Sequence, residues 1–187
     1  MKDRLTKAGW IGHGLRALAE KGPGALKIGS LAAGLNVSRG SFYWHFRDLA
    51  DFRAQLLDSW RERTTERIIR DIEAQRAEPD RLRALVMAAF AAKPARDDGA
   101  SLWAAEDAIR AWALTDCGVA AIVASVDDRR VAYISELLIA TGVDAGSAPA
   151  RATFLYWAYL GQAISTGSSQ RTLTPLEIAG ISDLLCA

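Results

Sequence analysis

Apolar residues recur three and four positions apart along the chain, the period of a helix buried on one side, and no segment alternates apolar and polar residues as a half-buried strand does. The pattern predicts a first amphipathic helix over 4–20, with Trp10, Leu15 and Leu18 on its inner side, closed by Lys21-Gly22-Pro23-Gly24. Two short helices joined by a tight turn follow between Leu31 and Phe46. A long fourth helix starts at Leu49, where Asp48 and Asp51 stand at capping-box spacing, and runs towards Ala77. Further helices are predicted over about 80–93, 99–114, 119–141, 148–166 and 175–185, with breaks at Glu78-Pro79, Lys93-Pro94, Cys117-Gly118, 142–149 and 167–174. Gly9, Gly12 and Gly14 each cost the first helix about 1 kcal/mol relative to alanine, so they are read as close helix contacts. The fold class is all-α: a three-helix head joined through the fourth helix to a helical body.

The chemistry concentrates in one place. In LAAGLNVSRGSFYWHF, residues 31–46, Leu31 and Leu35 share a helix face, Asn36 tolerates positive φ, and Ser38 can cap the next helix. That next helix crowds Ser38, Arg39, Ser41, Tyr43, Trp44 and His45 into barely two turns. An ordinary amphipathic surface helix has no need of so many planar, hydrogen-bonding side chains. A helix lying in a DNA major groove does, because base edges and phosphates are met by donors and flat rings.

Leu31-Ala32, the turn Asn36-Val37-Ser38 and the run Phe42-Tyr43-Trp44-His45-Phe46 resemble the helix-turn-helix signature of TetR-type transcriptional regulators, over residues 5–57. Ile109 to Ala113 and Asp127-Asp128-Arg129-Arg130 look like a pattern in the ligand domains of some members. The resemblance implies an N-terminal helix-turn-helix DNA-binding domain, 1–48, and a C-terminal helical ligand-binding and dimerisation domain, 49–187. It also implies phosphate contacts for Tyr43 and His45, while Lys27 and Arg47 are assigned to phosphates by charge and position. The chain departs from the pattern at Lys27, where members commonly carry Thr, at Leu35-Asn36 in place of Ala-Gly, and at Leu49, where a Lys often opens the next helix.

Net charge is only +1 over 187 residues, yet it is unevenly placed. Residues 1–47 hold eight basic and two acidic side chains, a balance of +6, and the rest hold 15 basic and 20 acidic, a balance of −5. The basic part attracts the phosphate backbone and the acidic part is repelled by it, which fits a double-stranded DNA operator as partner. No apolar run approaches the roughly 20 residues of a bilayer span, and the N-terminus lacks the apolar stretch of a signal peptide, so no membrane partner and a cytoplasmic address are expected. Cys117 and Cys186 cannot build a disulfide framework and read as small buried apolar residues.

In the body, Phe154 to Leu160 is apolar or aromatic on every side. One face can meet the chain's own core; the other is explained by a second copy, with Leu155 and Tyr159 at a two-fold interface that also takes in 119–141, or else by a fully internal helix in a monomer. A homodimer suits a helix-turn-helix reader, which sets two recognition helices about 34 Å apart. The resemblance also implies a small-molecule effector. Trp103, Asp107 and Arg110 share one helix face, and Phe90, Tyr133 and Trp157 can add aromatic walls. Glu106 and Arg110 stand at the spacing of a surface ion pair. The only histidines, His13 and His45, lie in the basic head, and no CxxC, phosphate loop or metal-ligand spacing is present, so no catalytic residue, metal or cofactor is expected. Three readings follow: a TetR-like regulator, most simply a repressor released by a ligand; the same fold gated by a protein partner or by no effector; and an all-α enzyme.

Overall fold

The computed structural model describes residues 5–75, 80–90, 98–164 and 173–186, with the backbone alone described at 75, 80, 98–103 and 163–164. The described residues are helical and contain no strand. The helices are α1 (Lys7–Lys21), α2 (Ile28–Gly34), α3 (Gly40–Tyr43), α4 (Leu49–Arg61), α5 (Arg67–Gln75), α6 (Asp80–Phe90), α7 (Asp98–Ala113), α8 (Cys117–Ala140), α9 (Ala148–Ile164) and α10 (Pro175–Cys186). The chain divides into two compact units, Met1–Thr64 with Pro94–Ala124, and Thr65–Lys93 with Ser125–Ala187.

Local chemistry sets the boundaries in the first unit. The Thr6 hydroxyl caps α1 by accepting from the Gly9 N–H at 3.1 Å. Asn36 takes φ +53°, and this left-handed residue turns the chain from α2 towards α3. At the start of α4 the capping box closes both ways: the Asp51 N–H donates to Asp48 Oδ1 at 2.8 Å, and the Arg47 N–H donates to Asp51 Oδ2 at 3.0 Å. The Gln55 amide and the Arg47 N–H together hold the Asp51 carboxyl below the usual carboxylate range.

An aromatic cluster forms the centre of this unit. The Phe42 ring meets Trp10 edge-on at 5.4 Å between centroids and packs on Phe46 at 5.0 Å and Phe52 at 5.6 Å. Of the three glycines on α1, Gly14 is the one pressed by the core, since a Cβ there would lie 2.6 Å from Phe52 Cζ and 2.9 Å from Leu56 Cδ1. α7 packs along α1 in this unit, burying Ala105, Ile109 and Trp112.

Three expectations change. The helix foreseen from Leu49 towards Ala77 is interrupted by a π-helical turn at Glu62–Glu66, where the Thr64 hydroxyl donates to the Trp60 carbonyl at 2.8 Å; such back-bonding competes with the helix ladder. Ala77 itself lies outside the described residues. Glu106 is not a surface carboxylate: it is 4% exposed and accepts from Arg110 Nη2 at 3.0 Å. Cys117, expected to be buried, is exposed at the first residue of α8.

The second unit packs α5, α6, α9, α10 and the larger part of α8 around Leu82, Val86, Leu138, Ala152, Leu155 and Ile178. Polar groups of distant sequence meet inside it. Arg130, 9% exposed, donates from Nε to Thr65 Oγ1 at 2.9 Å and from Nη1 to the Tyr156 hydroxyl oxygen at 3.2 Å, and the Tyr156 hydroxyl donates to Asp127 Oδ1 at 2.6 Å. Among the described residues no helix is long and apolar enough to cross a membrane.

Candidate nucleic-acid interface

α3 has four residues, too few to be stable alone, and it stands because Phe42 and Phe46 are buried beneath it. Its entry differs from the expected serine cap. Arg39 occupies the cap position in helical conformation with no side-chain cap bond, and the Ser38 carbonyl accepts from the Ser41 N–H at 3.0 Å, a tighter turn that leaves Ser38 exposed.

With Phe42 and Phe46 turned inwards, the opposite side carries the residues singled out from the sequence. Tyr43 is 59% and Trp44 82% exposed. Ser38 and Arg39 are exposed, Ser41 and His45 half-buried, and Lys27 is exposed at the cap position of α2. The Arg47 side chain is open to solvent, 3.7 Å from Asp51. A rigid aromatic base thus presents flat rings, hydroxyls and cations outwards, the chemistry that meets base edges and phosphates. His13 sits behind this surface against Gly34, where burial and then the neighbouring Arg16 hold its imidazole below the ordinary histidine value.

The residues named for a ligand site are not gathered in one unit. Asp107 and Arg110 belong to the first, Asp107 exposed and Arg110 paired with Glu106; Trp103 is on α7, but its side chain lies outside the described residues. Phe90, Tyr133 and Trp157 belong to the second. Tyr133 is 3% exposed within the core, and its hydroxyl has no hydrogen-bond partner among the described residues. Burial, with Glu73 adding to it, pushes that phenol up. Phe90 packs on the same core, whereas Trp157 is 66% exposed.

Of the two residues expected at a dimer interface, Leu155 is buried within its own unit, and Tyr159 is half-buried and stacked on Tyr156 at 5.9 Å. The exposed large apolar residues of α9 are Phe154 and Trp157. Beside them a groove of about 490 Å³ between α8 and α9 is lined by Asp127, Asp128, Val131, Ala132, Ser135, Pro149, Thr153, Tyr156, Trp157 and Leu160. Asp127 and Arg130 lie in the run singled out from the sequence, but their meeting with Thr65 and Tyr156 carried no sequence signal because those residues are far apart along the chain, and neither did the glycine at 29.

Fold and site together define an all-α DNA-binding protein with a helix-turn-helix head. Residues 12–55 match the family described as bacterial regulatory proteins, tetR family. The fold continues over the whole chain in solved structures. A transcriptional regulator from Rhodococcus sp. Rha1 has a TM-score of 0.72 at 19% identity, covering 97% of this chain and 94% of that one. A candidate TetR-family transcriptional regulator from Rhodococcus sp. has 0.70 at 17%, covering both chains in full. A candidate transcriptional regulator from Saccharomonospora viridis, in complex with choline, has 0.73 at 17%, covering 95% and 93%. No curated protein matches the sequence. The family match thus covers the head, residues 12–55, and the solved structures share the helical fold of the rest of the chain.

Proposed function

We propose that this regulator is a homodimeric, cytoplasmic repressor that binds an operator in double-stranded DNA through residues 1–48 and leaves it when a small molecule binds within 49–187. The observation that carries the reading is the outward presentation of Arg39, Tyr43, Trp44 and Arg47 from a head whose opposite side is an aromatic core. In this reading Arg39 and Ser41 read base edges, and Lys27, Tyr43, His45 and Arg47 hold phosphates, with Ser38 and Trp44 at the margin of the groove.

The two classes of contact separate experimentally. Arg39→Ala loses about 1 to 3 kcal/mol of specific binding and relaxes preference at one base position. Lys27→Ala and Arg47→Ala weaken specific and random duplex DNA alike, and each makes the slope of log affinity against log salt shallower by about one per half-site. Leu49→Lys strengthens both. Retardation of the chain's own upstream DNA, titrated over a salt series, measures all four variants; wild-type slopes for both alanine variants, with no gain from Leu49→Lys, would remove these backbone assignments.

Assembly is assigned to the α9 side bearing Phe154 and Trp157, with Tyr159 at its edge and Leu155 supporting it from beneath. Two aromatic rings about two-thirds exposed next to a groove favour a covering partner, and a second copy supplies matching rings by symmetry. Phe154→Arg combined with Trp157→Glu is expected to halve the mass seen by light scattering while leaving the helical signal unchanged. A wild-type mass would move the interface elsewhere. Leu155→Glu reports on folding instead, because that side chain is in the core.

The effector is assigned to the second unit, where Phe90 and Tyr133 share one core and the Tyr133 hydroxyl, among the described residues, lacks a partner that a polar ligand group would supply. Release follows if the ligand favours a body conformation that sets the heads off groove spacing, by no more than its differential affinity for the two states. The packing of α7 along α1 gives the head a direct contact with a helix outside residues 1–48. A thermal-shift screen of metabolites, choline among them because a neighbour of this fold holds it, tests this. A ligand that raises the melting temperature and weakens retardation supports it; shifts by none favour gating by a protein partner or by no effector.

A further inference from the structure

We propose that Gly29, in the first turn of α2, is a positioning and specificity-determining residue: the space left by its missing side chain is where the Arg39 guanidinium lies, and this holds Arg39 in the pose from which it reads a base. The inference rests on the assignment of Arg39 to base reading made above.

A Cβ built on Gly29 would stand 3.0 Å from Arg39 Nη2, 3.3 Å from Cζ and 3.3 Å from Nε. Three atoms of the group at nearly equal distance mean that its flat side, not one tip, covers the glycine. The Arg39 side chain has no hydrogen-bond or ion-pair partner among the described residues, and the residue stands exposed at the entry of α3. A long side chain of this kind would sample many rotamers, and ordering it on DNA would cost affinity. Resting on the backbone of α2 removes much of that freedom while the residue stays exposed. Gly29 also stands second in a helix of seven residues, where glycine is among the poorest helix formers. Nothing in the turn requires it: Gly29 is not among the residues of positive φ. What its side of the helix meets is the guanidinium.

The test uses the full chain and a randomised duplex DNA pool, from which the wild-type protein first selects its preferred sequence. Gly29→Leu and Arg39→Ala are then compared on that sequence and on the unselected pool, with Gly29→Ala as the mild variant. Gly29→Leu cannot leave the guanidinium in place, so it is expected to flatten preference at the same base position as Arg39→Ala and to lose roughly tenfold or more on the selected sequence. Binding to the unselected pool and its salt slope stay as in the wild type, since no phosphate contact is touched. Gly29→Ala is expected to shift preference at that position in the same direction but less, because the atoms it displaces are the far end of a flexible side chain. Both replace glycine in a helix, so their melting temperatures stay equal or rise. The double variant Gly29→Leu with Arg39→Ala should be no worse than Arg39→Ala alone. If Arg39→Ala flattens preference and Gly29→Leu does not, the positioning role is overturned while base reading by Arg39 stands. If Arg39→Ala leaves preference intact, base reading fails and the positioning role falls with it. A double variant clearly weaker than either single one would show that Gly29 acts by another route.

Discussion

Phe42→Ala is expected to abolish DNA binding altogether, on selected and random duplexes alike, by taking away the support of the recognition helix. Phe42 is fully buried, and its ring contacts those of Trp10, Phe46 and Phe52. Truncating such a ring costs about 3 to 5 kcal/mol, the lost transfer energy plus the cavity left behind. A helix of only four residues contributes almost no stability of its own, so the loss falls on the element that must enter the groove. Phe42→Leu, which keeps most of the volume, should cost under about 1.5 kcal/mol and retain binding. Retardation assays read the first effect and thermal melts the second. Wild-type affinity for Phe42→Ala would mean that the DNA-binding surface does not depend on α3.

The second large effect is expected at Arg130, remote from DNA. Its guanidinium is buried between the Thr65 hydroxyl and the Tyr156 hydroxyl, which in turn donates to Asp127, and it lies 5.9 Å above the Tyr159 ring. Arg130→Ala removes the cation and with it the buried donors to Thr65 Oγ1 and to the Tyr156 hydroxyl oxygen. Removing one member of a buried charged network costs about 3 to 5 kcal/mol, more than the net worth of the intact network, because the remaining groups stay desolvated. At about 3 kcal/mol the melting temperature of a protein of this size falls by roughly 6 to 12 °C. Arg130→Met, which fills much of the volume without the charge, should recover part of the packing loss and little of the polar loss. A melting temperature within 2 °C or so of wild type for Arg130→Ala would show the network to be solvated in solution. Intact random-duplex binding by either variant at low temperature would show that the damage is confined to the second unit.

The head was legible because its determinants are local. The turn at Asn36, the Asp48–Asp51 capping box and the inward phase of Trp10, Phe42 and Phe46 all act over a few residues, so spacing along the chain is already spacing in space. The break between α8 and α9 was legible for the same reason, with Gly142 and Pro149 marking it, whereas the breaks expected at Glu78-Pro79 and Lys93-Pro94 lie outside the described residues. The π-helical turn at Glu62–Glu66 was not, since it depends on the Thr64 hydroxyl competing for the Trp60 carbonyl rather than on any period.

What the sequence determined by itself is therefore the all-α class, the positions of the helices, and the side of α3 that faces outwards. The tertiary structure alone decided which side of each body helix is covered. An all-round apolar helix such as α9 has no hydrophobic phase, so only packing could turn Leu155 inwards and leave Phe154 and Trp157 outside. Helical spacing showed that Glu106 reaches Arg110, but that Glu106 is buried appears only in the folded chain. Thr65, Asp127, Arg130 and Tyr156 on one hand, and Gly29 with Arg39 on the other, are contacts between elements that share no local period. Only the folded chain brings them within reach, because they are set by how helices are laid against one another and not by the order of residues within any one of them.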